Sequence, residues 1–192
     1  TQRLLEILAK YDVKATFFVV GSNANLDVRL KAIVDAGHGI GIHSMTHKFE
    51  EIYASDEALL NDILTLQDLI LQKTGVKTTM LRFPGGTNNT ASKKYCEGIM
   101  TRAVEKVTDL GFQYFDWNVD SKDAGGAKTA DEVYRNVTNG VDGLKIAYVL
   151  QHDTKGFSVD AVERIIQWGL ENGYTFPPLT PESPAFHHKP NN

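Results

Sequence analysis

The sequence predicts an α/β fold of repeated βαβ units, closing as a distorted (β/α) barrel, and three observations carry that reading. Short β-branched and aromatic runs alternate with longer stretches of helical apolar period along the 192 residues. The polar residues of chemical interest fall where the short runs end, the rim on which barrels of this type build their sites. No Gly-rich phosphate loop follows any of these runs, which counts against the rival, a doubly wound open sheet.

Taken in order, the first element is a helix, because Leu4, Leu5 and Leu8 recur at helical spacing after Thr1, a residue type that caps helices. The compact run from Thr16 to Val20, ended by Gly21 and Ser22, reads as a buried strand. The alternation then predicts helices over 25–35, 56–72, 91–110, 129–139 and 159–172, and strands over 39–42, 80–83, 113–119, 145–151 and 174–176. No composition shift divides the chain, so 1–192 reads as a single domain, with the Pro-rich residues 177–192 as a surface tail. A barrel chain that opens on a helix is short of a strand, so the first strand is expected to be missing from this sequence.

With 42% hydrophobic residues the chain can bury one sizeable core. A formal charge of −4 provides no cationic footprint for nucleic acid. The single Cys96 cannot form an internal disulfide. No apolar run reaches the roughly 18 residues of a membrane span, and no signal-peptide pattern is present.

Four clusters carry the chemistry. His43-Ser44-Met45-Thr46-His47 follows the 39–42 strand, and on a helical turn its two imidazoles share a face. Such a pair suits a borderline divalent metal that still needs a carboxylate and a water; the alternative is a capped loop with two solvated or core histidines. Arg82-Phe83-Pro84-Gly85-Gly86 follows the next strand, where an inward Arg82 needs an anionic partner and the Pro84-Gly85 turn brings backbone close to it; the alternative is an exposed edge residue before an ordinary turn. In Asp116-Trp117-Asn118-Val119-Asp120, strand alternation puts Asp116, Asn118 and Asp120 on one face, lining the lumen or else a solvated edge. Finally Leu150 and His152 share a face of the strand before Asp153, so His152 reaches the same rim and is able to shuttle a proton if a carboxylate such as Asp120 orients it. His187 and His188 sit in the Pro-rich end, and a mobile tail is the favoured reading there over a second metal pair.

The ordered set His43-Ser-Met-Thr-His47, Arg82-Phe-Pro84-Gly, Asp120-Ser-Lys-Asp123 and Leu150-Gln-His152 resembles the NodB-homology polysaccharide deacetylases, carbohydrate esterase family four. The segment from Lys14 to Gly21 looks like that family's second strand, so the resemblance covers nearly the whole chain. It implies that His43 and His47 bind a divalent metal, zinc foremost with cobalt, nickel or manganese as alternatives. It further implies that Arg82 pairs with the catalytic base, that Asp120 orients His152, and that Leu150 shapes the acetyl pocket, with Pro84, Gly85 and Asn118 among the substrate contacts. The family's Thr-Phe-Asp-Asp-Gly run, which supplies the base and a third metal ligand, does not occur in the sequence. Ala124 stands where many members have Trp, and Gly85 where many have Tyr.

The expected activity is metal-dependent removal of N-acetyl groups from a peptidoglycan- or chitin-like polysaccharide, at the cell wall or outside the cell by resemblance. This chain alone is expected to be impaired for want of the aspartates. Two other readings stay open: a non-catalytic carbohydrate-binding domain of the same fold, and a hydrolase of small amides or cyclic ureides.

Overall fold

Helix and strand alternate along residues 1–192, all of which a computed structural model describes. The first half runs α1 (Gln2–Lys10), β1 (Thr16–Val20), α2 (Leu26–Asp35), β2 (Gly39–Ser44), α3 (Phe49–Ile52), α4 (Asp56–Thr74) and β3 (Met80–Leu81). A 3-10 turn at Ala91–Lys94 leads into α5 (Ile99–Asp109) and β4 (Gln113–Tyr114). The chain ends with β5 (Val119–Asp120), α6 (Ala130–Val141), β6 (Val149–Leu150) and α7 (Gly156–Glu171).

These elements form two compact units, each discontinuous in sequence. One comprises Thr16–Asp116 with Leu179–Asn192, the other Thr1–Ala15 with Trp117–Pro178. The first holds a four-stranded sheet in the order β1-β2-β3-β4 and the second a two-stranded sheet, β5-β6. Every strand pair is parallel, as the βαβ reading requires.

In the four-stranded unit, α4 shows how sequence makes an element. Ser55 caps it by accepting from the Ala58 amide at 3.1 Å, Asp56 and Glu57 face the positive end of the dipole, and Gly75 closes it at φ 75°. Its buried stripe is Leu59, Asp62, Ile63, Leu66, Gln67 and Ile70, a helical repeat interrupted by two polar residues that both make specific bonds. In the two-stranded unit, Thr129 and Glu132 form a capping box at the start of α6, and Val133, Val137 and Val141 pack with Val119 and Ala161.

The structure departs from expectation in four places. The 91–110 helix is broken at Gly98, whose φ of 76° a continuous helix does not allow. The 113–119 strand is two strands belonging to different units, because the Asp116 amide donates to Phe186 O instead of continuing the ladder. Residues 174–176 form no strand, although the Lys14 amide donates to Phe176 O at 3.1 Å. Residues 179–192 are tied down instead of hanging free: Leu179 N donates to Thr16 Oγ1 at 2.7 Å, and Thr101 N donates to Asn192 O at 2.8 Å.

Candidate functional site

In the four-stranded unit the site begins with a bulge. Val19 pairs with Ile42 but Val20 pairs with Ser44, so His43 is an extra residue on β2 with no partner on β1. A bulge re-aims the side chain it carries. The His43 Nδ1 lies 2.6 Å from Arg82 O, and because a carbonyl only accepts, Nδ1 is the donor and the lone pair is on Nε2.

His47 lies beyond the strand, in a loop and not on the helical turn expected from the spacing. Its φ is 58°, a left-handed conformation that ends any helical run. Even so, the two rings remain neighbours, with centroids 5.0 Å apart. The loop is held from below by Ser44 Oγ, which accepts from the His47 amide at 2.8 Å, and by Asp62, which accepts from the Met45 and Thr46 amides at 2.9 and 3.3 Å.

Arg82 follows β3, and its amide donates to Ile42 O at 2.9 Å. Its Nε and Nη2 donate to the carbonyls of Phe115 and Asp116 at 3.0 and 3.3 Å. The guanidinium carbon lies 4.5 Å from the centroid of the Phe18 ring. A side chain at Gly41 would place its Cβ 2.6 Å from that ring, so only glycine lets Phe18 settle there. Burial pulls the Arg82 pKa down to about 10, partly offset by the Asp116 carboxylate, so the group stays charged at neutral pH. In the turn that follows, Tyr53 Oη donates to Pro84 O at 2.7 Å, and Gly85 and Gly86 both have φ of 78°, leaving Gly85 exposed.

The two-stranded unit holds His152. Its Nδ1 lies 2.7 Å from Asp123 Oδ1, while Asp123 Oδ2 accepts from the His152 amide at 2.7 Å and from Ser158 Oγ at 2.6 Å. Asp123 is 3% exposed. Burial opposes its charge, but the hydrogen bonds from the His152 side chain, Ser158 and the His152 amide together hold its carboxyl below the usual carboxylate range.

This corrects the expected role of Asp120. Its oxygens accept from the Lys122 amide at 2.7 Å and Lys122 Nζ at 3.2 Å, so it caps a turn and Asp123 orients His152. The three-residue offset follows from Lys122, whose φ of 62° bends the chain after β5. Asn118 is likewise absorbed by backbone: its Oδ1 accepts from the Tyr148 amide at 2.7 Å and its Nδ2 donates to Ile146 O at 3.1 Å, beside the bond from its own amide to Tyr148 O. Asp116 is fully buried among donors rather than facing a lumen. Leu150 pairs with Asp120 in the β5-β6 register and is half-buried. His187 stacks on Tyr114 at 3.8 Å, and the His188 amide donates to Asp116, so neither belongs to a mobile tail.

Two residues with clear roles carried no assignment in the sequence. Asp123 sits inside the quoted Asp120-Ser-Lys-Asp123 motif, and its partner depends on the bend at Lys122. Asp62 left a sequence signal, a carboxylate within the apolar stripe of α4, which must be satisfied when buried.

His43 and His47 offer two imidazole nitrogens, one with its tautomer set by a carbonyl, a donor pair that fits zinc, cobalt or nickel better than oxygen-preferring manganese. No group of three or more His, Cys, Asp or Glu side chains gathers to hold a metal, so the pair by itself falls short of a tetrahedral ligand set.

The family model for polysaccharide deacetylase matches residues 1–104. The chain is similar to a peptidoglycan-N-acetylglucosamine deacetylase of Bacillus cereus, 33% identical over 193 residues that cover 95% of this chain and 66% of that protein. The chain therefore spans just under two thirds of that relative, and 61% of a Bacillus subtilis relative. Among solved structures, the catalytic domain of a peptidoglycan N-acetylglucosamine deacetylase from Eubacterium rectale superposes with a TM-score of 0.97 at 47% identity, covering 100% of this chain and 87% of that one. A polysaccharide deacetylase from Bacillus cereus superposes with a TM-score of 0.80 at 30% identity, covering 96% and 88%. Parallel strands alternating with helices, the bulged His43 beside Arg82, and these likenesses agree that the fold is of the NodB (β/α) type and that the chain belongs to the polysaccharide deacetylase family.

Proposed function

We propose that this chain carries the metal-binding histidines and the proton-donating histidine of a deacetylase that removes N-acetyl groups from an N-acetylglucosamine polymer, with peptidoglycan ahead of chitin. The observation that carries the reading is the bond from His43 Nδ1 to Arg82 O, which presets the imidazole for coordination through Nε2. Peptidoglycan is favoured because relatives named for that substrate lie on both the sequence and the structure side.

His43 and His47 would hold a divalent cation, zinc foremost. Such a cation, when bound, polarises an acetyl carbonyl and lowers the pKa of water. Arg82 would pair with a carboxylate base, and the backbone amide of the exposed Gly85 would serve as a donor for a developing oxyanion. Pro84 and Leu150 line the substrate in this reading. As water adds to the acetyl carbon and the C–N bond breaks, the leaving sugar nitrogen needs a proton. His152 supplies it from Nε2, because Asp123 engages Nδ1 and fixes the orientation of the ring. The products are acetate and a free amine on the polymer, and the place of action is the cell wall or the cell exterior.

Acetate release from N-acetylglucosamine oligomers by the full-length protein is the test. Release that stops on chelation and returns with zinc is expected; a folded, metal-loaded protein releasing none rejects the reading.

The 192 residues taken alone are a different case. Two imidazoles without a third ligand bind metal weakly, so this chain is expected to turn over negligibly. That same observation favours a second reading, a carbohydrate-binding domain without catalysis. Calorimetric binding of peptidoglycan fragments by the full-length protein, with no acetate released, selects it.

A further inference from the structure

We propose that Asp116 is a positioning residue whose carboxylate and backbone clamp Arg82, the turn 84–87 and residues 186–188 into one arrangement; this rests on the role given to Arg82 above. Asp116 is 0% exposed, and a carboxylate so placed is tolerated only when donors surround it. Oδ1 accepts from the Thr87 amide at 3.0 Å, and Oδ2 accepts from Thr87 Oγ1 and from the His188 amide, the latter at 2.9 Å. The residue's own amide donates to Phe186 O at 2.9 Å, and its carbonyl accepts Arg82 Nη2 at 3.3 Å. Every polar group of one side chain and its peptide is thus spent on three separate segments.

The consequence falls on the turn. Tyr53 holds it at Pro84 and Asp116 holds it at Thr87, while Gly86 N donates to Phe83 O at 2.9 Å. Gly85, the exposed backbone between those anchors, gains a defined direction despite its permissive φ of 78°. The C-terminal segment belongs to the clamp, since the His187 ring stacks on Tyr114 and its Nε2 lies 2.9 Å from Tyr114 O. No other side chain substitutes cleanly. With two donors on one oxygen and one on the other, an asparagine must turn its NH2 against a donor whichever way it is flipped.

The test compares Asp116→Asn, Thr87→Val and Thr87→Ser in the full-length protein, with kcat taken per folded molecule. Asp116→Asn is expected to lower kcat about 10- to 100-fold with KM changed less than about twofold. Thr87→Val is expected to lower kcat less, and Thr87→Ser to recover most of that loss. Amide exchange at residues 87 and 188 of Asp116→Asn is expected to quicken by about tenfold or more. Unchanged kcat in both Asp116→Asn and Thr87→Val, or a rise in KM alone, overturns the proposal. The exchange measurement needs no turnover. A parent protein that releases no acetate therefore rejects the deacetylase reading while exchange still decides the clamp; an active parent whose Asp116→Asn variant keeps its protection and kcat rejects the clamp alone.

Discussion

His43 and His152 are the same side chain in two settings, and the contrast between them separates two kinds of chemistry. In the four-stranded unit the His43 Nδ1 donates to a neutral carbonyl, Arg82 O, which fixes its tautomer. In the two-stranded unit the His152 Nδ1 meets the buried carboxylate of Asp123, a charged acceptor in place of a neutral one. A ring with its tautomer preset suits coordination, and a ring oriented by a carboxylate suits proton transfer. What the second atom of contact is, more than where the histidine lies in the sequence, divides the two proposed roles.

The most severe way to probe that contrast is to neutralise Asp123. Asp123→Asn is expected to cut kcat about 1,000-fold or more, as loss of the carboxylate behind a catalytic imidazole does elsewhere, while zinc affinity stays within about twofold. Acetate release and zinc titration on the same preparation check this, and a parallel fall in zinc affinity would erase the distinction.

The converse substitution comes next. His43→Ala or His47→Ala in the full-length protein should weaken zinc binding by at least about 100-fold, whereas His152→Ala should leave it unaltered, as read by competition with a chromogenic chelator. Smaller again is the effect of the loop support. Asp62→Asn loses part of the acceptor pair beneath Met45 and Thr46, and about a tenfold loss of zinc affinity is expected with the tertiary signal retained.

Acid unfolding sharpens the same comparison. The folded pKa of Asp123 is depressed, so its contribution to stability is fully present above the ordinary carboxylate value of about 3.9 and is lost as pH falls through the folded value. Asp123→Asn should therefore be less stable than the parent near pH 6, and the gap should close as pH falls through the folded value. Denaturation midpoints measured across that range test the sign; a constant gap would assign the loss to packing instead. The mildest effect is expected away from both histidines. Thr129→Ala removes the cap of α6 and should cost about 1 kcal/mol by denaturant titration, with no change in zinc affinity.

Much of this was legible in the residues. Helical period located α4 and α6, whose Ser55 and Thr129 caps stand where the apolar repeat begins, and the run from Thr16 to Val20 is β1 to the residue. The histidine pair was legible as a pair, but its geometry was not, because a bulge at His43 and a left-handed His47 replace the helical turn that four-residue spacing implies. Alternation misled in the segment 115–120, where the pattern of one strand covers a passage between units. The apparent tail misled in the same manner, since its bonds are to residues about a hundred positions away in the chain.

By itself, then, the sequence determined which elements form and which side chains bear chemistry, since caps, apolar period and short motifs are local properties of neighbouring residues. Only the tertiary structure decided which partner each of those side chains meets: Asp123 rather than Asp120 at His152, the carbonyls of Phe115 and Asp116 at Arg82, and three donors around Asp116. Such pairings turn on single dihedrals, like the φ of 62° at Lys122, and on contacts between distant segments, neither of which leaves a periodic trace in the residue order.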